Sequence, residues 1–198
     1  MTKIYKFNKE RFPNTNILYI TGTSGSGKST LAYDIANKID ADVISLDWYY
    51  DNLDFDGHED LMCEKFNEYL FENLPEIKTI EQDFEHYEIE RFKSNSDDGK
   101  FYWEVMDKLA ELIKPFAEQN DLPVIVEGIQ LYDSTIQNPE KYLENESLYV
   151  VVKDPYVCAV RLIERDELTN SFSEIYTRSK TASLQLKRFL DKISKNDF

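Results

Sequence analysis

Gly22, Gly27, Lys28 and Ser29 stand in the order G-x-x-x-x-G-K-S within residues 17–30, ILYITGTSGSGKST. Residues of these types at this spacing suit one chemistry, the holding of a nucleoside triphosphate by its phosphates. Glycines at 22, 25 and 27 leave room for backbone amides to turn inward around a β-phosphate, and a helix starting here aims its positive end at the same point. The loop Gly22, Thr23, Ser24, Gly25, Ser26, Gly27, Lys28, Ser29 and Thr30 is therefore the expected nucleotide cradle. Lys28 adds a point charge for the β- and γ-phosphates, and the Ser29 hydroxyl has the reach to ligate Mg²⁺. The partner of Lys28 is expected to be the ligand and not a group of the fold.

Such a loop works only between a strand and a helix, and the flanking sequence supplies both. Ile17, Leu18, Tyr19 and Ile20 read as a buried strand, while Leu31, Ile35 and Ile39 recur at helical spacing after the loop. Residues 41–47 (ADVISLD), 122–128 (LPVIVEG) and 147–154 (SLYVVVKD) are further short apolar runs. Apolar side chains at successive positions imply burial on both faces, as in central parallel strands. Residues 139–143 offer a short helix between the last two runs. Strands alternating with helices in this way predict an α/β fold: three αβα layers around a mainly parallel sheet, with ligands bound beyond the carboxyl ends of the strands.

That rule picks out two acids besides the glycine loop. Glu127 ends the run at 122–128, where a carboxylate can hold Mg²⁺ directly or through water; the alternative is an acid serving a turn or helix terminus. Asp47 ends the run at 41–47, where it can orient and deprotonate an attacking hydroxyl; the alternative is a cap for the segment that follows. Trp48, Tyr49 and Tyr50 come next and can either stack on a base or sugar or pack into the core.

The 198 residues, 41% of them hydrophobic, suffice for one domain spanning 1–198, and no Pro/Ser/Gly-rich linker divides them. A net charge of −15 points away from DNA, RNA and anionic membranes, all of which attract basic surfaces, and towards a small-molecule partner. The chain shows neither a signal-peptide core nor eighteen consecutive apolar residues, so a cytoplasmic location is expected. Cys63 and Cys158 lie far apart without His or Cys neighbours, which favours buried free thiols over a disulfide or zinc site. The oligomeric state is not legible.

Four stretches in order carry a resemblance: GTSGSGKST, SLDWYYD, VIVEGIQ and VVVKDPYVCAVRLIERD. Together they resemble the P-loop small-molecule kinases of the uridine kinase and phosphoribulokinase group. The resemblance implies phosphoryl transfer from ATP with Mg²⁺ to a hydroxyl of a nucleoside or sugar-like compound, with Asp47 beside the acceptor and Glu127 associated with the metal. It also implies a lid at about 155–175 whose pattern Arg-Arg-x-x-Arg-Asp is met here by Arg161, Leu162, Ile163, Glu164, Arg165 and Asp166, so that Leu162 replaces one arginine. Arg161 and Arg165, four apart, share a helix face and can close over the phosphates; the alternative is a solvated helix pairing with its own acids. A zeta-toxin-like kinase of a nucleotide sugar would share the loop and Asp47. A non-catalytic nucleotide switch would need the loop alone.

Residues 50–120 are expected to form a helical substrate-binding or insert region. Residues 60–74 and 103–116 have helical periodicity, and 76–98 is an acidic, aromatic stretch with an exposed turn at 94–100. DFDGHED at 54–60 is similar to a Phe-Asp-His-Pro-Asp stretch of the resembled group, which makes His58 a candidate substrate contact; His86 is expected to be merely exposed. Residues 173–195 suit a closing amphipathic helix.

Overall fold

A computed structural model describes residues 1–7, 16–47, 63–73, 98–133, 146–166 and 171–194. The strands are β1 (Lys3–Phe7), β2 (Ile17–Gly22), β3 (Asp42–Ser45), β4 (Val124–Glu127) and β5 (Ser147–Val152). The helices are α1 (Lys28–Ile39), α2 (Glu64–Asn73), α3 (Asp98–Gln119), α4 (Gln130–Asp133), α5 (Pro155–Asp166) and α6 (Phe172–Ile193).

The five strands form one sheet in the order β1-β5-β2-β4-β3. β2 runs parallel to both β4 and β5, and β3 runs parallel to β4. All six positions of β2 are buried, as its unbroken apolar run requires at the centre of a covered sheet. Alternation along the strands then sorts side chains into two cores. Ile17, Tyr19, Val124, Val126, Leu148 and Val150 face one side, where Phe66, Leu109, Ile113, Leu131, Leu186 and Phe189 cover them. Leu18, Ile20, Ile125 and Val151 face the other, against Ala32 and Ala36 of α1. The architecture is thus α/β with three layers and a mainly parallel sheet, as expected from the pattern.

Three details differ from the sequence reading. β1 is an added antiparallel edge, Lys3 opposite Val152 through Phe7 opposite Leu148, and its mostly exposed side chains give it no core signal. The run at 41–47 stops as a strand at Ser45, and Leu46 and Asp47 turn helically. α3 is longer than the periodic stretch at 103–116 and continues through Pro115 to Gln119. Asp40 ends α1 at φ 56°, a left-handed conformation that aspartate tolerates better than most residues, and so turns the chain directly into β3. The expected helix at 139–143 and the acidic stretch at 76–97 lie outside the described residues. No helix among the described residues is long and apolar enough to cross a membrane.

α2 docks on α3 through Phe66, which is fully buried and meets Phe116 edge to face with ring centroids 5.1 Å apart. Truncation leaves a cavity that the two helices cannot close. Phe66→Ala is therefore expected to lose about 3–5 kcal/mol of stability in urea denaturation; a loss below about 1 kcal/mol would show that α2 is not part of the cooperative core.

Candidate functional site

The carboxyl ends of β2, β3 and β4 converge on one point. β2 delivers the glycine loop, in which Gly25 has φ 76° and Gly27 has φ 95°. Both angles lie in the region that only glycine enters freely. They turn the chain so that Gly27 caps α1 without a side-chain hydrogen bond and its carbonyl accepts the Leu31 amide at 3.0 Å. At Gly25 space is limiting as well, because an added Cβ would lie 2.7 Å from the Cys158 carbonyl oxygen of α5. Thr23 is buried beneath the loop with its hydroxyl 3.6 Å from the Cys158 sulfur. Burial raises the Cys158 thiol above its usual range, so it serves as packing and not as a nucleophile.

Lys28, the first residue of α1, is 5% exposed, and its ammonium pairs with Asp47. The same nitrogen lies 3.8 Å from Glu127 Oε2. This corrects the expectation that only a ligand would engage Lys28. Glu127, 1% exposed at the end of β4, accepts hydrogen bonds from Ser45 through Oε1 and from Ser29 at 3.2 Å through Oε2. Burial pushes its carboxyl above the ordinary carboxylate range, Lys28 pulls it back, and Asp47 pushes it up again. Tyr33 on α1 feels the same acid: burial first and Glu127 second raise its phenol to about 12.

Asp47 carries a structural duty beside its pairing. Its Oδ1 accepts the Ile129 amide at 2.9 Å, which ties the turn after β3 to the turn after β4. Asp47 thus anchors the backbone of a distant turn, not the segment that follows it, while its other oxygen faces Lys28.

On the other side of the loop, Arg161 of α5 donates to the Gly25 carbonyl at 3.4 Å, and its guanidinium lies 3.5 Å from where a Gly27 Cβ would sit. Lys153 stands nearby; partial burial, and then the Arg161 cation, lower its pKa. Arg161 and Lys153 thus set two positive charges close together beside the loop. Arg165 is exposed one turn further along, and half-buried Leu162 occupies the position of the missing arginine. The first turns of α5 are no free flap, because Cys158 and Ala159 are fully buried and the helix packs against α6.

The structure thus brings together Lys28, Ser29, Asp47 and Glu127, and places Arg161 on the other side of the loop. Trp48, Tyr49, Tyr50 and His58 lie outside the described residues. Ser45 and Gln130 were missed. Ser45 follows from strand alternation, two residues before Asp47, and Gln130 is a polar residue inside the otherwise apolar stretch that follows Gly128.

Ser29 Oγ and Glu127 Oε2, adjacent and both oxygen donors beside the loop mouth, match what Mg²⁺ takes from protein when phosphate oxygens complete its shell. Groups of three or more His, Cys, Asp or Glu that could hold a metal unaided do not occur among the described residues.

No protein-family model matches the chain, and no curated protein does so. Among solved structures, TT1252 from Thermus thermophilus aligns over 91% of this chain and 96% of its own, with 20% identity and a TM-score of 0.47. A gluconokinase from Sinorhizobium meliloti 1021 aligns over 96% of this chain and 100% of its own, with 16% identity and a TM-score of 0.38.

Gly25→Ala tests the loop geometry. A left-handed alanine pressed on the Cys158 carbonyl is expected to cost roughly 1–3 kcal/mol and to abolish nucleotide-dependent stabilisation. Thermal melting with and without Mg·ATP reads both, and a variant that melts and responds like wild type would contradict the described turn.

Proposed function

We propose that this chain is a P-loop kinase that transfers the γ-phosphoryl group of ATP to a hydroxyl of a small molecule, a nucleoside or sugar-like compound, in the manner of the uridine kinase-like group it resembles. The observation that carries the reading is the Lys28 ammonium set between Asp47 and Glu127 at the mouth of the positive-φ glycine loop. A binding loop alone needs no second acid there. A transfer site needs one acid beside the metal and another beside the nucleophile.

In this reading the amides of residues 22–30 hold the phosphates, and Lys28 leaves its acids to bridge the β- and γ-oxygens. Ser29 and Glu127 hold Mg²⁺, which supplies charge neutralisation on the phosphates. Asp47 orients the acceptor hydroxyl and takes its proton. As the acceptor oxygen bonds to the γ-phosphorus, the bond from that phosphorus to the β,γ-bridging oxygen breaks, and ADP leaves with the electron pair. Arg161, already at the loop, and Arg165, one turn away, bear on the charge that spreads over the transferring group. The acidic surface repels polyanions, so the cations at this site provide the local field that draws in a triphosphate.

Two outcomes test these roles. Asp47→Asn is expected to keep Mg·ATP affinity within a few-fold, because its amide oxygen can still accept from Ile129, yet to lower transfer to an acceptor such as uridine at least a hundredfold. Wild-type kcat in that variant would remove the base assignment. Arg161→Ala is expected to reduce kcat at least tenfold and by more than Arg165→Ala does, with poor rescue by Lys, since a point charge lacks the planar fork. Equal kcat in wild type and both Ala variants would leave a nucleotide switch as the better account.

A further inference from the structure

Gln130 opens α4 two residues after Gly128 and is 1% exposed. Both polar atoms of its side chain, Nε2 and Oε1, are buried and have no hydrogen-bond partner among the described residues. A buried carboxamide is ordinarily satisfied, so one with both a donor and an acceptor left open calls for a reason. Its position supplies one. The side chain folds back over Gly128 so closely that a Cβ there would overlap Gln130 Oε1, and the same spot lies 2.7 Å from Leu46 Cβ and 3.4 Å from the Asp47 amide nitrogen. The chain thus spends a glycine to let this amide lie against the turn that carries Asp47, the acid that faces Lys28. The neighbouring backbone is already engaged: the Gly128 amide donates to Ile20, its carbonyl accepts from Thr21 at 2.7 Å, and the Ile129 amide is taken by Asp47. None of these groups satisfies the carboxamide.

We propose that the Gln130 carboxamide recognises the phosphoryl acceptor, its NH₂ donating to one hydroxyl and its Oε1 accepting from a neighbouring one, so that the site selects polyhydroxy compounds with a vicinal diol. The inference rests on the kinase reading for the name acceptor, and on the orphaned amide beside Asp47 for the grip. An amide presents a donor and an acceptor side by side, which matches two adjacent hydroxyls and is poorly used by a simple alcohol. A site built to hydrogen-bond its substrate rejects analogues lacking those groups, because its own polar atoms then stay unpaired.

The test compares wild type with Gln130→Leu and Gln130→Met, using uridine, D-ribose and glycerol as diol probes and 2′,3′-dideoxyuridine as the analogue without one. Thermal melting is read with each probe and Mg·ADP, and transfer is read from labelled ATP. The ligand-free variants are expected to melt no lower than wild type, since no hydrogen bond is lost. A diol probe should raise the wild-type melting temperature and not that of the variants, and kcat/KM for that probe should fall at least tenfold, chiefly through KM, with Mg·ATP affinity unchanged. Should a diol shift the wild type alone while no phosphoryl transfer occurs, the grip stands and the kinase reading fails. Wild-type protein indifferent to all three diols, variants that keep kcat/KM within twofold, or equal losses for the dideoxy analogue would each overturn the proposal. Variants that melt clearly lower without ligand would overturn it too, by assigning the amide to the fold.

Discussion

The buried ammonium of Lys28, set between the carboxylates of Asp47 and Glu127, is the contact around which the site is organised. Two acids and one lysine on three different elements would not stay together in water, where each prefers its own hydration. They stay because the sheet fixes their origins: Lys28 at the head of α1, Asp47 just past β3, Glu127 at the end of β4. Polar neighbours complete the arrangement, with Ser29 and Ser45 on Glu127 and the Ile129 amide on Asp47. Removing one member strands the others. A broken buried ion pair typically costs about 3–5 kcal/mol, so this cluster matters to the fold as well as to any ligand.

With both acids ionised the cluster holds two negative charges against one positive, while Arg161 and Lys153 crowd the far side of the glycine loop. The resulting field is polarised, negative around Glu127 and Asp47 and positive around Arg161 and Lys153. In the reading proposed above, a metal-bound triphosphate matches this polarity and frees Lys28 to follow the phosphates. Burial above all raises the carboxyl of Glu127; Lys28 works against that, and Asp47 adds to it. Thr23 and Cys158 pack the loop directly on α5, and Arg161 already reaches the Gly25 carbonyl from that helix.

Much of this was legible because strong local signals coincide. The run at 17–20, the glycines and the helical spacing after Lys28 all demand the same strand, loop and helix, and the apolar runs at 122–128 and 147–154 could only be central strands. What escaped is what depends on partners distant in sequence. β1 has exposed side chains and exists only because β5 offers it an edge. Asp47 lies past the end of its strand because its carboxylate is held by Ile129, 82 residues away. The pairing of Lys28 with two acids, and the stranded amide of Gln130, follow from the crossing of strands and not from any periodicity. α3 runs through Pro115 since the residues around it, Ile113, Phe116 and Ala117, are buried, and packing outweighs the lost backbone donor.

The central claim is that Lys28 exchanges its two acids for the phosphates of a nucleotide. Calorimetric titration of Mg·ATP into wild type, Lys28→Met and the double variant Lys28→Met/Asp47→Asn, alongside their urea denaturation, tests it directly. Lys28→Met should lose stability and weaken Mg·ATP binding at least a hundredfold; neutralising Asp47 as well should restore much of the stability and none of the affinity. A double variant that regains both, or a single variant that binds Mg·ATP like wild type, would show that the lysine is a staple of the fold and not a phosphate ligand.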